Sequence, residues 1–190
     1  MKKKWIIAAA ALVVFIAGAT FLYNYLSEQY SGGNLVNDSQ TGQQDANDSD
    51  GTQQAPNFTV IDAEGNEVRL SDYKGKPVVL NFWATWCYYC KEEMPDFQEA
   101  FEKYPDVQFL MVNATDGIQE TEQDARAYIA EQGFRFPVYF DTKGEAVTAY
   151  YVTGLPATYF IDKEGNLAAH GAGMLDLESI EKGISIITSE

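Results

Sequence analysis

The sequence predicts an α/β domain over residues 56–190, with a central sheet of mixed strand direction flanked by helices. Two short and nearly continuous apolar runs, at 77–83 and 107–113, are typical of strands that are buried on both faces. Helical patterns alternate with strand patterns along the chain, and the alternation ends in a hairpin pattern. Such an order places helices on both faces of a sheet, and the hairpin adds antiparallel strands to it.

The first element of the domain is a predicted N-terminal β-hairpin. Strand-like residues 58–61 and 67–70 flank the turn sequence Glu64-Gly65-Asn66, which is a typical hairpin signal.

Gly133 marks the end of the second predicted helix, because glycine directly after a helical pattern is a common stop. The later elements follow in chain order as strand 77–83, helix 87–104, strand 107–113, helix 120–132, strand 136–140, helix 145–151, a closing hairpin of strands 157–161 and 166–170, and the amphipathic helix 175–187.

The first 26 residues predict a membrane anchor. Residues 1–4 contain three lysines, which favour a cytoplasmic N-terminus. Residues 5–26 carry no charge and are mostly apolar, and about 20 such residues cross a bilayer as a helix. The small residues 17–19 leave a cleaved signal peptide open, although the apolar run continues past them. We expect a single-pass transmembrane signal-anchor in the cell membrane, with the rest of the chain outside the cytoplasm.

Residues 27–55 differ in composition from the segments on either side. They are rich in Gly, Asn, Gln, Ser and Asp, contain no basic residue, and have little apolar character beyond Leu35 and Val36. A segment of this kind buries too little apolar surface to offset the entropy of its chain. It is therefore predicted to be a disordered acidic linker between the anchor and the domain.

The charge balance excludes one class of partner. The chain has 28 acidic against 13 basic residues, a formal net charge of −15. Such a surface repels nucleic acid and anionic membrane, so no nucleic-acid partner is expected.

Cys87 and Cys90 are the only cysteines, and they follow a predicted buried strand and open a predicted helix. A separation of three helical residues puts both side chains on one face, close enough for a disulfide. At a helix N-terminus, unpaired backbone N–H groups and the helix dipole favour the thiolate of Cys87. The pattern predicts thiol–disulfide exchange, in which Cys87 forms the mixed disulfide and Cys90 resolves it.

Two other interpretations of the pair are open: a zinc half-site and two inert buried thiols. Zinc would need two further ligands, and the chain offers no other cysteine and a single histidine, His170. The start of a helix is a reactive position rather than an inert one. No metal is expected.

The residues around the pair, Asn-Phe-Trp-Ala-Thr-Trp-Cys-Tyr-Tyr-Cys-Lys at 81–91, resemble the active site of thioredoxin-like proteins. Together with Glu-Met-Pro at 93–95 and Gly-Leu-Pro-Ala-Thr-Tyr-Phe at 154–160, they are similar to the TlpA/ResA group of membrane-tethered, extracytoplasmic thiol–disulfide oxidoreductases. The resemblance covers about residues 56–190. It implies a thioredoxin-like fold with an N-terminal β-hairpin at 58–70 and a central helix–strand insert at 120–140.

The same resemblance implies the reaction and the partners. It implies reduction of disulfides in exported client proteins, such as apocytochrome c or an exported methionine sulfoxide reductase, with electrons from a membrane-embedded thiol donor. No cofactor is expected beyond the redox-active disulfide. Three alternatives on the same fold stay open: a disulfide-forming oxidase, a thiol peroxidase and a copper-binding chaperone. The peroxidases carry Thr where this chain has Ala84, and the copper proteins have one more residue between their cysteines.

Glu93 is the third candidate catalytic residue. On a helix it shares a face with Cys90 and Phe97, so its carboxyl group is expected to point inward, with a raised pKa, and to exchange a proton with Cys90. The resembling group has a functional glutamate at this place. The competing interpretation is one more surface glutamate on an acidic helix. Asn81 stands where thioredoxin has a buried aspartate, and this departure moves the expected proton-transfer role toward Glu93.

Five residues are candidates for substrate binding. The resemblance implies a cis bond between Leu155 and Pro156, packed against the cysteine pair, with the backbone of Leu155 free to pair with an extended client chain. Trp86, Tyr88 and Tyr89 are candidates for an apolar rim that contacts the substrate, with internal packing as the alternative.

Overall fold

The computed structural model describes residues 18, 20, 22, 35–37 and 53–189. The chain divides into two compact units, Met1–Gly33 and Asn34–Glu190. Of the first unit, Gly18, Thr20 and Leu22 are helical, while the predicted N-terminus 1–4 and the rest of the predicted anchor 5–26 lie outside the described residues. Within the described positions no helix has the length and apolar character needed to cross a membrane.

A mixed sheet of eight strands forms the centre of the described part of the second unit. Its strand order is β1-β8-β7-β4-β5-β6-β2-β3. The strands are β1 Leu35–Asn37, β2 Thr59–Ile61, β3 Glu67–Arg69, β4 Val78–Trp83, β5 Gln108–Asn113, β6 Val138–Phe140, β7 Ala157–Ile161 and β8 Leu167–Ala172. Neighbours β4, β5 and β6 are parallel, and every other pair is antiparallel. The predicted mixed α/β sheet is confirmed.

Helices cover the sheet and complete two hydrophobic cores. The four helices of the described domain are α1 Tyr88–Lys103, α2 Glu122–Gln132, α3 Glu145–Ala149 and α4 Leu177–Thr188, and a 3-10 helix spans Leu70–Tyr73. The core beneath α1 and α4 contains Trp83, Phe97 and Ile184, and the other core contains Phe82 and Tyr150. All six residues of β4 are buried, since its side chains enter both cores alternately.

The predicted elements form close to their predicted places, and local chemistry explains the shifted ends. The hairpin β2–β3 and the insert of α2 and β6 both exist. The third helix ends before Tyr151, which has a positive φ of 49°. The last helix begins at Leu177 because Asp176 caps it, accepting a hydrogen bond from the N–H of Ser179 at 2.9 Å.

The predicted linker 27–55 contains paired backbone that composition does not reveal. The strand Leu35–Asn37 pairs antiparallel with β8. Near the other end, Leu167 N–H donates to the carbonyl of Gln53 at 2.8 Å, and Ala55 N–H donates to the carbonyl of Gly165 at 2.9 Å. The N–H and C=O groups along the outer edge of β8 are able to pair with the backbone of another segment, and this pairing does not depend on the side chains of that segment. The remaining linker residues lie outside the described part of the chain.

Gly183 brings α4 into close contact with the sheet. A Cβ atom added at this glycine would lie 2.2 Å from the ring of Phe160, which is fully buried in β7.

We expect Gly183→Ala to lower the free energy of unfolding by about 1–3 kcal/mol, because the strain of overpacking exceeds the helix propensity that alanine adds. Urea unfolding measures this change. Lys182→Ala, at the exposed neighbouring position, is the control and should change stability by less than about 0.5 kcal/mol. Unaltered stability of Gly183→Ala would show that the helix does not approach this closely.

Candidate active site

Cys87 and Cys90 form a disulfide at the start of α1, with their Cα atoms 5.3 Å apart. Cys87 is the N-cap residue of the helix, and its backbone is extended rather than helical. Cys90 lies in the first turn. The side chain of Cys87 is 5% exposed, whereas that of Cys90 is fully buried. Cys87 is therefore the more exposed of the two cysteines, in the order that the sequence predicts.

The backbone at the helix start is placed to stabilise a thiolate. The N–H of Cys90 donates to Sγ of Cys87 at 3.1 Å, where N–H groups of a first helical turn have no backbone acceptor. When the disulfide is reduced, this donor and the positive end of the helix dipole favour the ionised form of Cys87. The arrangement suits a sulfur that attacks and leaves as a thiolate.

Glu120 holds the loop that carries Cys87, a contact that the sequence analysis missed. This buried carboxylate accepts the N–H of Thr85 at 3.0 Å, the hydroxyl of Thr85 at 2.6 Å and the amide of Asn113 at 2.6 Å. The pattern places Glu120 at the start of a helix, but α2 begins at Glu122 and is capped by Thr121. Glu120 is thus free to reach the loop. No local signal links it to a residue 35 positions away.

Loss of Glu120 should destabilise the domain strongly. In Glu120→Ala the amide of Asn113 and both donors of Thr85 lose their acceptor, and we expect the free energy of unfolding to fall by about 2–4 kcal/mol. Glu122→Ala, which breaks only an exposed ion pair with Arg126, is the matched control and should cost less than about 1 kcal/mol. Urea unfolding of the two variants side by side measures both effects. Equal urea midpoints for the two variants would show that the hydrogen bonds of Glu120 to Thr85 and Asn113 do not stabilise the domain.

Glu93 points into the protein and is not a surface glutamate. Its carboxyl group is almost fully buried and accepts the side-chain amide of Asn81 at 2.8 Å and the N–H of Leu175 at 2.9 Å. Burial raises the pKa of Glu93 to about 8, and the two hydrogen bonds oppose that rise in part. The nearby charge of Asp96 raises the pKa further. The carboxyl group therefore changes protonation near neutral pH, one helical turn from Cys90.

Asn81 connects Glu93 to β7, the strand that begins directly after Pro156. It lies in β4 opposite Thr158 of β7, and its Nδ2 donates to the Thr158 hydroxyl at 3.1 Å as well as to Glu93. All three side chains are buried. They form a buried polar cluster that joins α1 to the paired strands β4 and β7.

The Leu155–Pro156 peptide bond is cis. It precedes β7 and lines an open groove of about 250 Å³ together with Tyr151 and Gly173. The carbonyl of Pro156 accepts the N–H of Gly173 at 2.9 Å, while among the described residues the backbone of Leu155 pairs with no other backbone group. Within the described part of the chain, the N–H and C=O of Leu155 therefore lack a backbone partner at the edge of the groove.

Large aromatic side chains surround the cysteine pair at the surface. Trp86, Tyr88 and Tyr89 are each more than half exposed, so internal packing, the alternative to an apolar rim, does not describe them. Tyr88 and Tyr89 contact each other edge to face, with ring centroids 5.4 Å apart. Tyr151, which the sequence analysis did not select, is exposed at the proline groove.

His170 lies in β8, and its ring stacks on that of Tyr159. Among the residues that the structure describes, no three His, Cys, Asp or Glu side chains are grouped so as to hold a metal ion.

Comparison with known proteins gives consistent results. Residues 52–170 match the AhpC/TSA family. The thiol–disulfide oxidoreductase ResA of Bacillus thuringiensis subsp. konkukian is 37% identical over 137 residues, which cover 71% of this chain and 77% of the relative. The thioredoxin-like protein YneN of Bacillus subtilis is 32% identical over 190 residues, 98% of this chain and 99% of that protein. A crystal structure of a putative thiol:disulfide interchange protein DsbE from Chlorobium tepidum superposes with a TM-score of 0.63 at 32% identity, covering 70% of this chain and 94% of that one.

Proposed function

Because the chain belongs to the AhpC/TSA family and is a thiol–disulfide oxidoreductase with a thioredoxin-like fold, we propose that it reduces disulfides of exported client proteins. Cys87 and Cys90 are the redox pair, and no other cofactor takes part. The observation that carries the proposal is the position of the disulfide, with the more exposed cysteine at the helix start and the fully buried one in the first turn.

The reaction passes two electrons to the client in two exchange steps. The Cys87 thiolate attacks one sulfur of the client disulfide, and the other client sulfur leaves as a thiolate. Cys90 then gives up its proton and attacks the Cys87 sulfur, which releases the second client thiolate and forms the internal disulfide. The client gains the electron pair that the two cysteines lose. A membrane-embedded thiol donor returns the pair to its dithiol form by the reverse exchange.

Glu93 is the proton acceptor for Cys90 in this scheme. Side chains three residues apart on a helix lie about 5–6 Å from each other at their Cβ atoms. A pKa of about 8, which burial causes, lets the carboxylate take the proton of a thiol and return it near neutral pH. Both groups are buried, so water competes little for that proton.

Client binding combines a backbone contact with an apolar rim. The free backbone groups of Leu155 suit the addition of an extended client segment beside the cis Pro156. Trp86, Tyr88 and Tyr89 give flat apolar surface next to Cys87, and such rings bind a range of side chains at low entropy cost. Selection by backbone and flat rings suits a reductase that takes several client proteins.

The site of action follows from the first 26 residues, whose lysines and apolar run support a single-pass anchor with the domain outside the cytoplasm. In this arrangement the acidic linker tethers the domain to the membrane, close to its donor. A maleimide that cannot cross membranes should label the reduced cysteines in intact cells, and the Cys87→Ser/Cys90→Ser double variant is the blank. Labelling only after lysis would contradict an extracytoplasmic domain.

The direction of exchange is tested by the reduction potential of the pair in thiol–disulfide buffers. A reductase should show a value near that of thioredoxin, about −270 mV, and a disulfide-forming oxidase one near about −120 mV. A potential close to the second figure would replace the proposed reductase with an oxidase.

A further inference from the structure

The buried polar cluster next to the redox pair contains an atom with no partner. Oδ1 of Asn81 is inaccessible to solvent and accepts no hydrogen bond from the described residues. Its Nδ2, in contrast, donates both to Glu93 and to Thr158. An unpaired buried acceptor costs stability, so its presence beside a titrating carboxyl group needs a reason.

The hydrogen bonds around Glu93 suit only its ionised form. Asn81 Nδ2 and Leu175 N–H are both donors, one to each carboxyl oxygen, at 2.8 and 2.9 Å. A protonated Glu93 has an O–H that needs an acceptor. The observed arrangement supplies none to it, and the pKa of about 8 means that burial keeps this protonated form populated at neutral pH.

We propose that the side-chain amide of Asn81 turns over when Glu93 gains a proton, so that Oδ1 replaces Nδ2 against the carboxyl group. The two ends of an amide are nearly equal in size, so the exchange requires little repacking of the core. Oδ1 then accepts the new O–H of Glu93. Nδ2 takes the place without a partner.

Thr158 makes the two orientations nearly equivalent. Its hydroxyl accepts from Nδ2 at 3.1 Å in one orientation and is able to donate to Oδ1 in the other, because a hydroxyl group does both. Asn81 therefore has two hydrogen bonds and one unpartnered atom whether Glu93 is charged or neutral. An aspartate at this position could not serve in this way, since a second carboxylate would repel the first.

This inference rests on the proposed role of Glu93 in exchanging a proton with Cys90. The amide switch lets a buried carboxyl group change charge without leaving its hydrogen unpaired. Asp96 is the charged group that acts on Glu93, and Asp176, in the segment before α4, acts in turn on Asp96. The strands β4 and β7 contribute only the neutral Asn81 and Thr158 to the cluster.

The test follows Asn81 directly, by NMR of the full 190-residue chain labelled with ¹⁵N-asparagine and ¹³C-glutamate. The disulfide is kept oxidised so that the cysteines do not titrate. We expect the nuclear Overhauser effect between the Asn81 NH₂ group and the Thr158 methyl group to fall severalfold as the pH drops through the Glu93 midpoint. An effect of constant strength on both sides of that midpoint would overturn the proposal.

Glu93→Gln is the control, since its side chain is neutral at every pH. The signal from the Asn81 amide should then be independent of pH across the same range. Persistence of the change with the same midpoint would assign it to another group, such as Asp96, and overturn the switch. The Asn81 amide could reorient in the parent chain while Glu93→Gln still catalyses thiol–disulfide exchange at the parent rate. That result would support the switch and overturn only the proposed role of Glu93 in thiol–disulfide exchange.

Discussion

Replacement of Cys87 by serine should abolish the reduction of insulin disulfides, while replacement of Cys90 should trap clients as mixed disulfides. Serine at position 87 removes the more exposed of the two sulfurs, and Cys90, which is fully buried, is not expected to attack a client disulfide in its place. Serine at position 90 leaves the first attack intact but removes the sulfur that resolves the intermediate. The measurements are insulin turbidity for activity, and non-reducing electrophoresis with mass spectrometry for the trapped species.

The control for both variants is the reduced parent protein, because the variants also lack the internal disulfide. Unfolding midpoints close to that reference would show that lost activity is chemical and not structural. Measurable insulin reduction by Cys87→Ser, or equal trapping by the two variants, would contradict the division of roles between the sulfurs.

Glu93→Gln should remove a large part of the pH dependence of stability between about pH 4.5 and 8. Burial raises the pKa of Glu93 from 4.5 to about 8 in the folded protein. Below the pKa that Glu93 has in the unfolded chain, Glu93 is protonated in both the folded and the unfolded protein. The stability that depends on its protonation is then fully present. As the pH rises toward the folded pKa, the unfolded chain ionises first, and the folded state loses that stability.

Each unit of pKa shift corresponds to about 1.4 kcal/mol of folding free energy. The shift from 4.5 to about 8 therefore corresponds to a loss of about 5 kcal/mol between pH values well below 4.5 and well above 8. The oxidised parent protein should therefore become less stable relative to Glu93→Gln as the pH rises, by several kcal/mol at pH 8.5 in urea unfolding. Glu92→Gln alters the exposed neighbouring carboxylate and serves as the matched control. Parallel stability curves for the two variants would show that the pKa of Glu93 is not raised in the folded protein.

The sequence predicted those features that are written in short, local patterns. The two all-apolar runs predicted β4 and β5, since only a strand covered on both faces has no polar side. Glu93 was predicted to face inward because it follows Cys90 by three positions on one helix face. The position of the pair at a strand–helix junction predicted which cysteine is accessible.

Features that depend on long-range contacts had no such signal. The strand at Leu35–Asn37 forms through backbone pairing with β8, which polar composition does not indicate. Glu120 reaches Thr85 only because the fold brings the end of β5 beside the loop before α1. Gly183 gave no sign that the ring of Phe160 lies against it. Each of these contacts is selected by the assembled sheet and not by its own neighbours in sequence.

The most direct test of the account is the rate of alkylation of Cys87 in the reduced protein as a function of pH, with Cys87→Ser as the blank that reports Cys90 alone. The helix start and the N–H of Cys90 should hold the pKa of the Cys87 thiol well below the value of about 8.5 for free cysteine, so that alkylation reaches its plateau below that pH. A Cys87 thiol that titrates like free cysteine would contradict the catalytic assignment.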